Sequence, residues 1–86
     1  MNSPIIISVV RDYAMYDKCI AKNSFVSNCR LEPIDNRERN EYITVCYNRM
    51  VEKLADADSW LIFCHEDFQF LEDPVMLLEN ADKNSI

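Results

Sequence analysis

Residues 60–67 read WLIFCHED, five apolar residues running without a break into a His-Glu-Asp triplet. The run from Trp60 to Cys64 is too short for a free-standing helix and rich in aromatic and branched side chains. It therefore predicts a strand buried on both faces. Strands of that kind belong to parallel sheets covered by helices, where ligands collect beyond the carboxyl ends. His65, Glu66 and Asp67 stand at such an end, which makes them the first candidates for a site. Alternation along an extended chain sends His65 and Asp67 to one side and Glu66 to the other.

Upstream of this run, Ile43, Cys46, Tyr47, Met50, Val51 and Leu54 fall at helical spacing and predict a helix from Glu41 that ends between Asp56 and Ser59. Before it, Cys29, Leu31 and Ile34 predict a strand within Phe25 to Asp35, made irregular by Pro33, with the polar stretch NRERN (36–40) as a loop. A helix over Tyr13 to Lys22 follows from Tyr16, Cys19 and Ile20, with Asp12 as its cap and Asn23 as its stop. The chain opens on PIIISVV (4–10), a β-branched run whose proline is tolerated at a strand's first residue. Downstream, Asp73-Pro74 opens a short helix through Leu78, and 79–86 reads as a frayed polar tail.

The order β-α-β-α-β-α selects an α/β fold of three layers, a short parallel sheet with right-handed crossover helices. The first strand is the most apolar and takes the middle of a 2-1-3 order, so a crevice opens where the connections part. Strand spacing then puts the ends of the outer strands about 10 Å apart. Asp35 and Asp67 are expected to face one crevice, with Asn36 beside Asp35 and Arg11 near the floor.

Eighty-six residues make one domain, 1–86, which removes only about 60% of its unfolded surface from water. A net charge of -6 without any Lys/Arg cluster argues against a nucleic-acid partner. The apolar run at the N-terminus has no basic segment before it and is too short for a transmembrane segment, so the chain reads as soluble and cytoplasmic. The four cysteines form no C-x-x-C pair and read as small hydrophobes rather than zinc ligands. With no glycine, the chain has neither a Walker loop nor a GxGxxG turn.

Two ligands on one side of a strand end can hold a hard cation, Mg²⁺ or Mn²⁺, that completes its shell with phosphate oxygens and water. The plain alternative is that His65, Glu66 and Asp67 merely end a strand in water, and that Asp35 and Asn36 build a turn. No Ser or Cys stands at a recognisable spacing from His65 to act as a nucleophile, and catalytic residues are not identified.

Taken together, IIISVV (5–10), YDKCIAKN (16–23), PIDN (33–36), EYITVCYNRMVEKL (41–54) and WLIFCHEDFQFLEDP (60–74) resemble the N-terminal, nucleotide-binding half of GT-A-type glycosyltransferases, in the nucleotide-diphospho-sugar transferase superfamily. That family carries a short acidic motif, commonly Asp-x-Asp and in some branches His-x-Asp, whose final Asp binds the metal on the donor's diphosphate. The resemblance implies that role for Asp67, with His65 as a departure from the commoner form, and Mn²⁺ or Mg²⁺ as cofactor. It implies nucleoside contact at Asp35 and equates Tyr47-Asn48 with a pair in the long helix. Family enzymes add a second half that supplies the acceptor site and catalytic base, so the expectation is a truncated glycosyltransferase-like domain that binds a nucleotide-sugar and is incomplete as a catalyst. The alternative is a small α/β interaction module that forms a homo-oligomer through an exposed sheet edge.

Overall fold

Strand β1 (Ile5–Val10) is the axis of the molecule, because its branched side chains favour the pleat and all six of its residues are buried. In the computed structural model, which describes residues 3–84, β1 pairs in parallel with β2 (Arg30–Asp35) on one side. On the other side it pairs with β3 (Leu61–Phe63), giving the order β2-β1-β3 that the sequence predicts.

The alternation of β1 builds two cores. Ile6 and Val10 pack with Tyr16, Cys19, Ile20 and Val26 on one face, while Ile5 and Ile7 pack with Met50 and Leu54 on the other. The first crossover therefore covers one face and the second covers the opposite one. Three layers result, as two connections of one hand leaving β1 in opposite directions require.

The first crossover opens with α1 (Tyr13–Tyr16), capped as expected by Asp12, whose carboxylate accepts from the Met15 amide at 3.2 Å. It is a regular helix only to Tyr16 and then widens into a π-helical turn over Asp17–Ala21. Asn23 ends it: its backbone N–H donates to Ile20 O, and its side-chain amide donates to the Cys19 carbonyl at 3.3 Å and to Phe70 O at 3.0 Å. That side chain supplies the donor the next helical amide would have given.

A 3₁₀ turn at Ser24–Val26 occupies the start of the segment expected to be strand, and β2 proper begins at Arg30. Asn23 caps this turn, its side-chain oxygen accepting from the Phe25 amide at 2.9 Å, which drives Val26 into the core. Pro33 is accommodated by register. The amides of Arg30 and Asn36 both donate to β1, so even positions point inward and Pro33 faces outward, where no donor is needed.

The second crossover carries α2 (Ile43–Lys53). Its buried stripe is narrower than the periodicity suggests: Cys46, Met50 and Leu54 are buried, whereas Ile43 and Val51 are exposed. α2 rests on β1, and a three-stranded sheet is too narrow to cover both flanks of a helix.

The Trp60–Cys64 run departs most from expectation. It is not buried on both faces but forms a three-residue edge strand, with Trp60 40% and Phe63 38% exposed. Its apolar composition matches a central strand, but β1 holds that place and leaves β3 a neighbour on one side only. Helix α3 (Pro74–Asn84) starts where predicted, with Asp73 accepting from the Val75 amide at 2.9 Å. It continues past Leu78 to Asn84, since no glycine or proline follows Pro74 to stop it. The frayed tail expected from residue 79 is thus helical as far as it is described, and residues 85 and 86 lie outside the described residues.

All four cysteines are free, with Cys19 and Cys46 buried. Among the described residues no helix is long and apolar enough to cross a membrane.

Candidate functional site

A crevice of about 560 Å³ opens beyond the carboxyl ends of β1 and β3, lined in part by Arg11, Asp12, Asn36, His65, Glu66 and Asp67. Of the residues singled out in the sequence, Arg11, Asn36, His65 and Asp67 are therefore brought together, with Glu66 between them, at the topological switch point.

Asp35 is not among the lining residues. It belongs to a neighbouring depression with Ile34, Glu38 and Arg39. Ile34 packs into the α2-side core, so alternation turns Asp35 toward the α1 side. There Arg37 takes its carboxylate at 2.8 and 3.0 Å through the guanidinium and at 3.1 Å through the backbone amide. These bonds hold the Asp35 pKa down at about 2, and Arg37 itself lies 4.7 Å over the Tyr13 ring. The expectation that Asp35 and Asp67 face one crevice is corrected accordingly.

Asn36 is buried and hydrogen-bonded through both ends of its side-chain amide. Its Nδ2 donates to Glu41 O at 3.0 Å and its Oδ1 accepts from the Glu41 amide at 2.9 Å, clipping the Arg37–Asn40 loop shut. Asn40 takes the left-handed position of that loop at φ 50°, a conformation asparagine tolerates better than most residues, in a chain without glycine. Asn36 thus shapes the crevice wall, with its side-chain amide held by the Glu41 main chain.

The His-Glu-Asp triplet does not follow strand alternation. The β3 ladder ends with the Cys64 amide donating to Ile7 O at 3.1 Å, and the Phe68 amide then closes a turn on His65 O at 3.1 Å. A turn rather than an extended chain carries the three residues, which is why all of them line the crevice. Glu66 is the residue that alternation misassigned. Its Oε2 accepts from the backbone amides of Arg11 at 2.9 Å and Asp12 at 2.8 Å.

The carboxylates of the crevice differ in what they already hold. Asp12 caps α1, Glu41 pairs with Arg49 at 2.8 Å, and Glu66 takes two amides. Asp67, by contrast, is exposed and makes no side-chain hydrogen bond or ion pair among the described residues, as is true of His65. With Glu41 compensated by Arg49, the crevice sets one guanidinium, Arg11, against the three carboxylates of Asp12, Glu66 and Asp67. Such a balance favours a cation, or an anion that arrives with one.

A Mg²⁺ or Mn²⁺ ion held by one or two protein groups is compatible with Asp67 and His65, because most of its shell would come from water and phosphate. Among the described residues no three His, Cys, Asp or Glu side chains converge as a self-sufficient metal site.

Behind the crevice, Tyr47 packs on Phe63 with ring centroids 4.7 Å apart, and Asn48 faces solvent. On the α1 side of the sheet, burial pushes the Cys64 thiol up, opposed by its 3.4 Å hydrogen bond with Ser8. Neither arrangement is part of the crevice lining. Comparison with family models, curated proteins and solved structures returns no match for this chain.

Proposed function

We propose that the crevice binds a nucleotide-diphospho-sugar together with Mn²⁺ or Mg²⁺, in the manner the GT-A resemblance implies, and that the domain is incomplete as a catalyst. The observation that carries this reading is the convergence of Arg11, His65 and Asp67 on one crevice at the switch point of a parallel sheet. Asp67, helped by His65, holds the ion. Bound there, the ion would supply positive charge to a diphosphate that the surrounding carboxylates otherwise repel. Arg11 adds the protein's own positive charge beside it. A volume of about 560 Å³ falls within the range of small-molecule sites.

The same inventory supports reading the domain as incomplete as a catalyst. Apart from Asp67 and His65, each carboxylate of the crevice is already committed to the fold, so no further side chain is at hand to activate an acceptor.

Calorimetry with UDP- or GDP-sugars in the presence of Mn²⁺, on the parent protein and on Asp67→Ala, tests the reading. Metal-dependent heat that disappears in the variant is expected, with no sugar transfer or donor hydrolysis. If no nucleotide gives metal-dependent heat with the parent, the donor-site reading fails.

A second reading, an interaction module without catalytic activity, draws on the outer edge of β3 and the exposed apolar side chains Trp60 and Phe63 beside it. Self-association without nucleotide binding would favour it.

A further inference from the structure

Glu66 lies between the two residues that the proposed ligand needs, yet its carboxylate is turned onto the main chain at the end of β1. The amides of Arg11 and Asp12 fall in the joint between β1 and α1, beyond the last ladder bond of β1, the Asn36 amide to Val10 O at 2.9 Å. No strand remains to accept from them, and the carboxylate fills that role from the far side of the crevice. Bonds from N–H to an ionised carboxylate are about twice as strong as neutral ones.

Apart from Glu66, the turn is tied to the rest of the molecule by hydrogen bonds only at its two ends among the described residues, at Cys64 and at Phe70, whose carbonyl accepts from Asn23 Nδ2 at 3.0 Å. The β3 ladder is finished at Cys64, the Phe68–His65 bond lies within the turn itself, and the side chains of His65 and Asp67 make no hydrogen bond among the described residues.

We infer that Glu66 is a positioning residue: its clasp on the Arg11 and Asp12 amides fixes the turn bearing His65 and Asp67 against the main chain of Arg11. One carboxylate thereby sets the relative placement of all three side chains assigned to the ligand. The effect on binding rests on the donor-site reading above, whereas the clasp rests on geometry alone.

The test uses the full chain, labelled with ¹⁵N, as parent, Glu66→Gln, Glu66→Ala and the exposed control Glu72→Gln. In both Glu66 variants the Arg11 and Asp12 amide protons are expected to move upfield. In Glu66→Ala the amides of residues 65–67 are expected to lose order by ¹⁵N relaxation, while Glu72→Gln leaves the signals of residues 11, 12 and 65–67 in place. Binding of UDP with Mn²⁺ is expected to weaken about tenfold or more in Glu66→Ala. Glu66→Gln, which keeps an oxygen acceptor, should recover part of the loss.

Unchanged Arg11 and Asp12 amide shifts, or residues 65–67 as ordered in Glu66→Ala as in the parent, would overturn the inference. Should the variants fail to fold, unprotected exchange of the Arg11 and Asp12 amides in the parent overturns it as well. A parent that shows the clasp in its spectra but binds no UDP with Mn²⁺ sinks the donor-site reading and leaves the positioning role standing.

Discussion

Asp35 and Asp67 are both exposed carboxylates at the ends of outer strands, and their neighbours separate them. Arg37, two residues on, holds Asp35 in its ionised form and lowers its pKa from 3.8 to about 2. A depressed folded-state value contributes stability above pH 3.8 that is lost as pH falls through about 2. Solvent screens this exposed pair, so its effect on folding is small. Arg37→Ala is expected to return the Asp35 midpoint toward 3.8 in a carboxyl NMR titration, with little change in Tm. Tyr16 is the opposite case. Burial, and then the nearby Cys64, raises its phenol to about 12, and its buried hydroxyl has no hydrogen-bond partner among the described residues. The fold favours the neutral phenol, so its contribution is complete below pH 10 and is lost as pH rises toward 12. Tyr16→Phe should raise stability at neutral pH by about 1 kcal/mol. Urea denaturation across the alkaline range should then show a shallower fall for the variant than for the parent.

The elements differ in how firmly their sequences hold them. α2 is fixed by Met50 and Leu54, which pack with Ile5 and Ile7 of β1, and Cys46 on the same helix is buried. Leu54→Ala removes a buried side chain from that contact and is expected to cost about 2–4 kcal/mol in denaturant unfolding. Val51→Ser, one turn away on the exposed flank, should stay within about 0.5 kcal/mol of the parent. The start of α3 depends on a single cap, the Asp73 carboxylate on the Val75 amide, with Pro74 preset for the first helical position. Asp73→Ala should cost about 1 kcal/mol and lower the helical signal in circular dichroism. Equal losses for Leu54→Ala and Val51→Ser would show that α2 is docked differently from the arrangement described above.

At the scale of the whole molecule, three strands leave two open edges, and the molecule manages them unequally. β2 presents Pro33 toward its outer side, and the Arg30–Glu32 ion pair puts charge on the same strand, features that discourage pairing with another chain. β3 has no such protection: Leu61–Phe63 is apolar throughout, and Trp60 precedes it. Self-association through β3 is the expected consequence, seen as a concentration-dependent mass in sedimentation equilibrium. Phe63→Lys places a charge on that edge and should shift the equilibrium toward monomer. A parent that remains monomeric at high micromolar concentration would count against the interaction-module reading and leave the donor site untouched.

The sequence by itself determined the fold class, because local composition and periodicity are enough to mark elements and their order. IIISVV could only be a buried strand, Asp12 and Asp73 announced their helices, and strict βαβ alternation led to a 2-1-3 parallel sheet with a crevice at its switch point. It also marked four residues that meet at that crevice, since strands of one direction deliver their carboxyl ends to one side. Only the tertiary structure decided what each side chain does there. Whether WLIF is central or edge depends on which strand wins the middle, a competition that no local pattern records. Asp35 looked equivalent to Asp67 until register turned it to the other face and Arg37 took it. Glu66 was assigned by a strand alternation that stops at Cys64, and its partners at Arg11 and Asp12 are 55 and 54 residues away along the chain, visible only once β1 and β3 lie side by side.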